Sequence, residues 1–127
     1  MKAVIITVLG LLLAACTSGH PIYNPETPIP EHAQAFPLER IEELIIAGAR
    51  ERNWLVTREG PGHLSAAQQK PKYTATVDIY FDQKSYRIAY RTSAGLNATQ
   101  NGTIHQHYNL WIGNLKADID EELHLAR

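Results

Sequence analysis

The chain has 127 residues, with twelve Lys and Arg against thirteen Asp and Glu for a formal charge of −1, and a single cysteine. That length suits one small domain. A near-neutral balance argues against a nucleic-acid binder, which needs a basic face for phosphate, and one cysteine rules out an internal disulfide and any metal site of paired thiolates.

Lys2 precedes an apolar run, residues 3–13, which ends in Leu13-Ala14-Ala15-Cys16. The run is too short for a permanent membrane span, and its charge, length and small closing residues read as a secretory signal. An uncleaved anchor helix with a buried Cys16 is the alternative. Leu13-Ala14-Ala15-Cys16 resembles the lipobox of bacterial lipoproteins, here a small envelope lipoprotein of the Gram-negative type, and the resemblance covers the signal alone. It implies that residues 1–15 are a cleaved signal peptide and that Cys16 is the lipidation site. The thiol takes a diacylglycerol and the new amino terminus an acyl chain such as palmitate. No other cofactor is expected. Two or three acyl chains anchor stably where one binds marginally. Thr17 stands where an aspartate often marks inner-membrane retention, so the resemblance points to the outer membrane, with the domain facing the periplasm. Removal of residues 1–15 takes Lys2 with it, leaving a mildly acidic mature chain.

Residues 16–36 form the lipidated cysteine and a stretch rich in Pro, Gly, Ser, Asn and His. Pro21, Pro25, Pro28, Pro30 and Pro37 forbid helix and interrupt a strand ladder, so the stretch reads as a tether reaching up to roughly 60 Å at ~3.1 Å per residue. Ile22-Tyr23 and Ile29 are unusual in a spacer and leave docking on the domain or on a partner as the other reading.

The globular domain is expected over 37–127. Pro37 suits the first turn of a helix over 38–52, in which Leu38, Ile41, Leu44, Ile45 and Gly48 share one face. Acidic residues crowd its start and arginines its end, complementing the helix dipole. Gly48 costs ~1 kcal/mol against Ala inside a helix, which either a close approach of another element or simple tolerance explains. Strands follow over 54–58, 63–69, 73–81 and 85–92. Alternation in the last two places Val77, Ile79 and Phe81 opposite Tyr90, Ile88 and Tyr86 on the buried side. On the outer side Tyr80 meets Arg87, Thr76 meets Arg91, and Asp78 lies opposite Ala89, diagonal to both arginines.

After a polar loop, residues 93–102, Thr103 and Gln106 match a capping box. Ile104, Tyr108, Trp111, Ile112, Leu115, Ile119 and Leu123 then trace an apolar stripe, with Trp111 and Leu115 at its centre. A helix over 104–125 would be ~33 Å long, enough for its last turns to protrude. The expected fold class is α+β: a helix, a four-stranded antiparallel meander and a C-terminal helix, both helices on one face of the sheet.

Six histidines are dispersed, and His105 and His107 diverge by roughly 200° on a helix, so no metal site is expected. The serines lie in no nucleophile motif, and a Ser93, His105, Asp78 grouping is a combination that any small domain offers. Glu42-Glu43 and Glu121-Glu122 are adjacent on helices and point apart. Sequons at Asn97 and Asn101 suit turn-making. Catalysis is therefore not expected. The candidate binding face is the outer side of the hairpin, with Tyr80, Arg87, Arg91, Asp78 and Lys72, since guanidinium groups beside an aromatic engage carboxylates, phosphates or a protein. A plain charge cluster on a wet sheet face is the alternative. The expectation is a membrane-tethered envelope lipoprotein with an accessory, protein-binding or scaffold role. A glycan- or small-ligand-binding module using the 93–102 loop and the outer sheet face comes second. The partners are the membrane, through the lipid, and an envelope protein or glycan.

Overall fold

The computed structural model describes residues 19–127; the expected signal peptide, lipobox and lipidation site at Cys16 lie outside the described residues. In chain order the elements are β1 (Gly19–Pro21), β2 (Glu26–Pro28), a 3-10 turn (Glu31–Ala33), α1 (Leu38–Arg50), β3 (Leu55–Gly60), β4 (His63–Gln69), β5 (Thr74–Phe81), β6 (Ser85–Ala94), β7 (Thr103–His105) and α2 (Gln106–Leu125). The class is α+β, as the pattern predicts. The main sheet, in the order β2-β6-β5-β4-β3, has five strands rather than four, and β1 pairs with β7 in a separate two-stranded ladder. Strands β3 to β6 are the expected meander. The fifth strand comes from the stretch read as a tether.

One face of the meander and both helices share a single core. Leu64, Ala66, Val77, Ile79, Tyr86 and Ile88 from the sheet meet Ile41, Leu44, Ile45 and Ala49 of α1 and Tyr108, Ile112, Leu115, Ile119 and Leu123 of α2. Pro37 caps α1, its carbonyl accepting from Arg40 N at 2.9 Å. The helix stops at Arg50, two residues earlier than predicted, where the chain turns through Asn53 at φ 63°. Gly48 marks the crossing of the helices: a Cβ there would lie 2.6 Å from Ile119 Cα, so close approach is the reason for the glycine. Across the core the Tyr86 hydroxyl donates to Asp120 and lies 3.3 Å from the Lys116 carbonyl. Burial first, and then Asp120, push this phenol well above its usual pKa.

The β5–β6 hairpin has the predicted register: Phe81 opposite Tyr86, Tyr80 opposite Arg87, Ile79 opposite Ile88, Asp78 opposite Ala89 and Val77 opposite Tyr90. It departs at a bulge between Thr76 and Val77, after which Thr76 faces Thr92 rather than Arg91. Asp82 Oδ1 closes the turn by accepting from Lys84 N at 2.7 Å and Ser85 N at 2.8 Å.

Residues 19–36 depart from the tether expectation. Gly19–Pro21 pairs with Thr103–His105, and Glu26–Pro28 pairs with Ser85–Arg87 at the sheet edge. Ile88 N donates to Pro25 O at 3.0 Å, and Ile29 N to Lys84 O at 2.8 Å. Prolines are compatible with this ladder because an edge strand pairs on one side only and the missing N–H groups can face away from it. Ile29 and Ala33 are fully buried. The 3-10 turn then covers the end of α2, where His32 Nε2 lies 3.1 Å from the Ala126 carbonyl and the rings of His32 and His124 meet edge to face. With Leu123 buried beneath it, the end of α2 is docked rather than protruding.

Two expectations for α2 also change. The segment around Ile104 is extended, the helix begins at Gln106, and its cap is His105, whose Nδ1 accepts from His107 N at 3.1 Å, not Thr103. Leu115 is buried, but Trp111 is half-buried at the margin, against Tyr73. At 100° per residue it stands roughly 80° round the helix from the line of Tyr108, Ile112, Leu115 and Ile119.

Candidate functional site

Neither helix covers the outer face of the sheet, and the alternation that buries Val77 and Ile79 turns Asp78 and Tyr80 onto it. Cross-strand register then lines up Glu26, Arg87, Tyr80, His63 and Gly60 in one row across all five strands. Tyr80 is the centre of that row. The His63 ring stacks on it from β4, with centroids 4.4 Å apart and planes 17° apart. From β6, the Arg87 guanidinium lies 4.2 Å from the centroid, within range of a cation–π contact.

Asp78 braces the next row. Its carboxylate sits 2.6 Å from His63 Nε2, 3.1 Å from Arg91 Nε, and in contact with Arg91 Nη2. Arg91 also reaches Glu59 at 3.6 Å, across from β3. Asp78 is only 9 % exposed although it faces outward. Burial by itself pushes its carboxyl pKa up, but the hydrogen bonds from Arg91 and then His63, reinforced by the charges of both, hold it below the ordinary carboxylate value. The same pairing raises the Arg91 pKa, led by the hydrogen bond that Arg91 donates to the Asp78 carboxylate.

The candidate residues divide accordingly. Tyr80, Arg87, Arg91 and Asp78 come together as predicted, whereas Lys72 does not: it lies in the β4–β5 turn with Tyr73, His107 and Trp111. Seven steps along the strand from Tyr73 to Tyr80 amount to roughly 23 Å. His63 and Glu59 belong to the site but were not singled out in sequence. The signal for His63 was its direct pairing with Tyr80 once β4 is aligned, which needs a register that no local pattern between those strands specifies. The loop over 93–102 is fastened elsewhere. Leu96 is buried, Thr99 N donates to Thr103 O at 2.9 Å, and Gly95 at φ +78° packs so closely that a Cβ would stand 2.1 Å from Lys72 O. The loop and the outer face therefore do not form one site.

Nor do Ser93, His105 and Asp78 assemble. The Ser93 hydroxyl pairs with Tyr90 OH at 2.8 Å, and His105 caps α2. His63 with Asp78 has the geometry of an oriented imidazole, but among the described residues no hydroxyl or thiol is hydrogen-bonded to that ring. Among the described residues there is also no group of three His, Cys, Asp or Glu side chains placed to hold a metal ion. Arg91 is committed to two carboxylates, while Arg87 stacks on Tyr80 with its N–H groups in no ion pair among the described residues. Beside it a depression of about 260 Å³ is lined by Glu26, Gly62, Tyr80, Asp82, Ser85 and Arg87.

No family model matches the chain, and comparison with curated proteins and with solved structures gives no match either.

Proposed function

We propose that this chain is a lipid-anchored accessory protein of the bacterial envelope, held in the outer membrane by acyl chains on Cys16, which docks a partner protein on the outer face of its sheet. Leu13-Ala14-Ala15-Cys16 supports the anchoring half. The docking half rests on one observation: Arg87 lies over Tyr80, in no ion pair among the described residues, on a sheet face that neither α1 nor α2 covers. A stacked guanidinium loses less freedom when it grips a carboxylate, and the Asp78, Arg91 and His63 network holds the neighbouring row still, so the contact is prepared before the partner arrives. The partner is therefore a protein surface that presents Asp or Glu. The reading assigns no catalytic step. A glycan module built on both the 93–102 loop and the outer face has less support, because the two lie at opposite ends of β5.

A photo-crosslinking residue in place of Ala89, in the full chain expressed in cells, tests the docking half. A discrete adduct is expected that disappears in Arg87→Glu while the melting temperature stays put. No adduct, or one indifferent to Arg87→Glu, overturns it. The intact mass of the protein isolated from membranes tests the anchor: residues 1–15 should be gone and lipid mass present on Cys16.

A further inference from the structure

The far end of the molecule carries a second surface. The β4–β5 turn and the start of α2 enclose an open cleft of about 440 Å³, lined by Lys70, Pro71, Lys72, Tyr73, His107 and Trp111. Its aromatic floor is built by edge-to-face contacts of Tyr73 with His107 at 5.7 Å and with Trp111 at 6.3 Å. Leu110, on the neighbouring position of α2, is 61 % exposed. The lining residues are drawn from two runs of the chain, 60–77 and 83–117, that contain none of its thirteen Asp and Glu. A mildly acidic protein thus presents an aromatic patch flanked by two lysines and free of acidic neighbours in its own segments.

The path of the chain says what meets it. Gly19 is paired with His105, and the His105 ring lies 4.5 Å from that of His107, at the lip of the cleft. Because β1 and β7 are antiparallel, moving back from Pro21 to Gly19 follows the chain from Thr103 to His105, toward the first turn of α2. Cys16 stands three residues before Gly19. Three residues reach at most roughly 11 Å, far short of the long tether that the prolines suggest.

Resting on the lipoprotein reading above, we infer that the cleft of Tyr73, His107 and Trp111 seats on the bilayer itself, with Lys70 and Lys72 against the phosphates of anionic phospholipids. Trp and Tyr settle at the headgroup level, where an apolar ring and a polar edge are both accommodated, and juxtamembrane lysines are drawn to anionic lipid. The acyl chains and the patch enter the same leaflet from the same end of the domain. Arg87 and Tyr80, at the other end of β5, then point away from the membrane toward a partner.

The test uses the protein isolated with its lipid and reconstituted in vesicles of phosphatidylethanolamine with phosphatidylglycerol, or of phosphatidylcholine alone. Acyl chains brominated near the headgroup quench tryptophan on contact. Trp54 is buried and serves as the silent reference. Quenching of the wild type is expected in the anionic vesicles, absent in Trp111→Phe, and reduced to the phosphatidylcholine level by Lys70→Glu with Lys72→Glu. Lipid mass on Cys16 with Trp111 indifferent to brominated lipid overturns this inference and leaves the anchored reading standing. Absence of lipid mass overturns both. Shielding of Trp111 from aqueous acrylamide without quenching by lipid means that a second copy of the chain covers the patch, which also overturns it.

Discussion

The β5–β6 hairpin and the stretch 19–36 flank each other in the fold, but they are held by different kinds of contact. The hairpin closes through a three-residue turn tied by Asp82, and its partners are neighbours in the chain. The N-terminal stretch is fastened at points scattered along the second half of the molecule: Pro21 O accepts from Asn109 Nδ2, Ile22 N donates to Gly102 O, Ile88 N donates to Pro25 O, and His32 meets Ala126 O. Closing a long loop costs more entropy than closing a short one, so the first region is cheap to close early, whereas the second is a strap whose partners must first be brought together from distant parts of the chain. Two neighbouring regions of one fold can thus differ in when, and by what, they are held.

The largest effect expected from breaking that strap is removal of residues 19–36. It bares the edge of β6 and takes Ile29 and Ala33 from the core. A loss on the order of 5 kcal/mol is expected, a large part of the stability of a small domain. Calorimetry on the chain begun at Pro37 should show no cooperative melt near that of the longer chain, and an unchanged melt would restore the tether.

Ile29→Ala and Ile88→Ala sharpen the comparison, since each deletes a fully buried side chain, one in the strap and one in the hairpin. Both should cost about 2–5 kcal/mol by denaturant titration. Stopped-flow kinetics should separate them: Ile29→Ala speeds unfolding and leaves the folding rate alone, while Ile88→Ala slows folding. Equal kinetic signatures would mean that the strap belongs to the folding nucleus.

A smaller effect is confined to acid. The Asp78 carboxyl, raised by burial but lowered on balance by Arg91 and His63, has a folded pKa below its unfolded value of about 3.9. Its stabilisation is therefore full above the unfolded pKa and is lost as the pH falls through the folded one. The gap in melting temperature between wild type and Asp78→Asn should be widest at neutral pH and close as the solution is taken well below pH ~4. A gap independent of pH would show that the network acts by packing alone.

The smallest change expected is Arg87→Ala. Its guanidinium rests on an exposed face over Tyr80, so stability should move by no more than about 0.5–1 kcal/mol. A larger loss would make Arg87 a structural member of the sheet rather than a contact for a partner.

Much of the fold was legible because period reports which face of an element is apolar. Val77, Ile79 and Phe81 alternate with polar residues, and Ile41, Leu44 and Ile45 recur at helical spacing, so the hairpin register, α1 and the meander follow from residues near one another in the chain. The outer partners of the hairpin, Tyr80 with Arg87 and Asp78 with Ala89, come with that register at no further cost in information. Gly48 announced a crossing without naming Ile119 as its partner.

The tertiary structure decided what covers each apolar face and which side chains meet across elements. Ile29 has apolar residues at helix spacing, Ala33 and Phe36, but the prolines around it rule out a regular helix and permit an edge strand, so only the vacant side of β6 reveals where Glu26–Pro28 belongs. His63 joins Asp78 and Tyr80 because β4 aligns with β5, while Lys72, close to Asp78 in sequence, is carried to the other end of the sheet by the length of the strand between them. Trp111 continues the apolar composition of α2 but falls off the line that faces the sheet, and packs against Tyr73 at the rim. Local pattern is carried by residues within a few turns or pleats of one another. Edges, rims and polar networks depend on groups brought together from distant parts of the chain, and their positions are set only when the core closes.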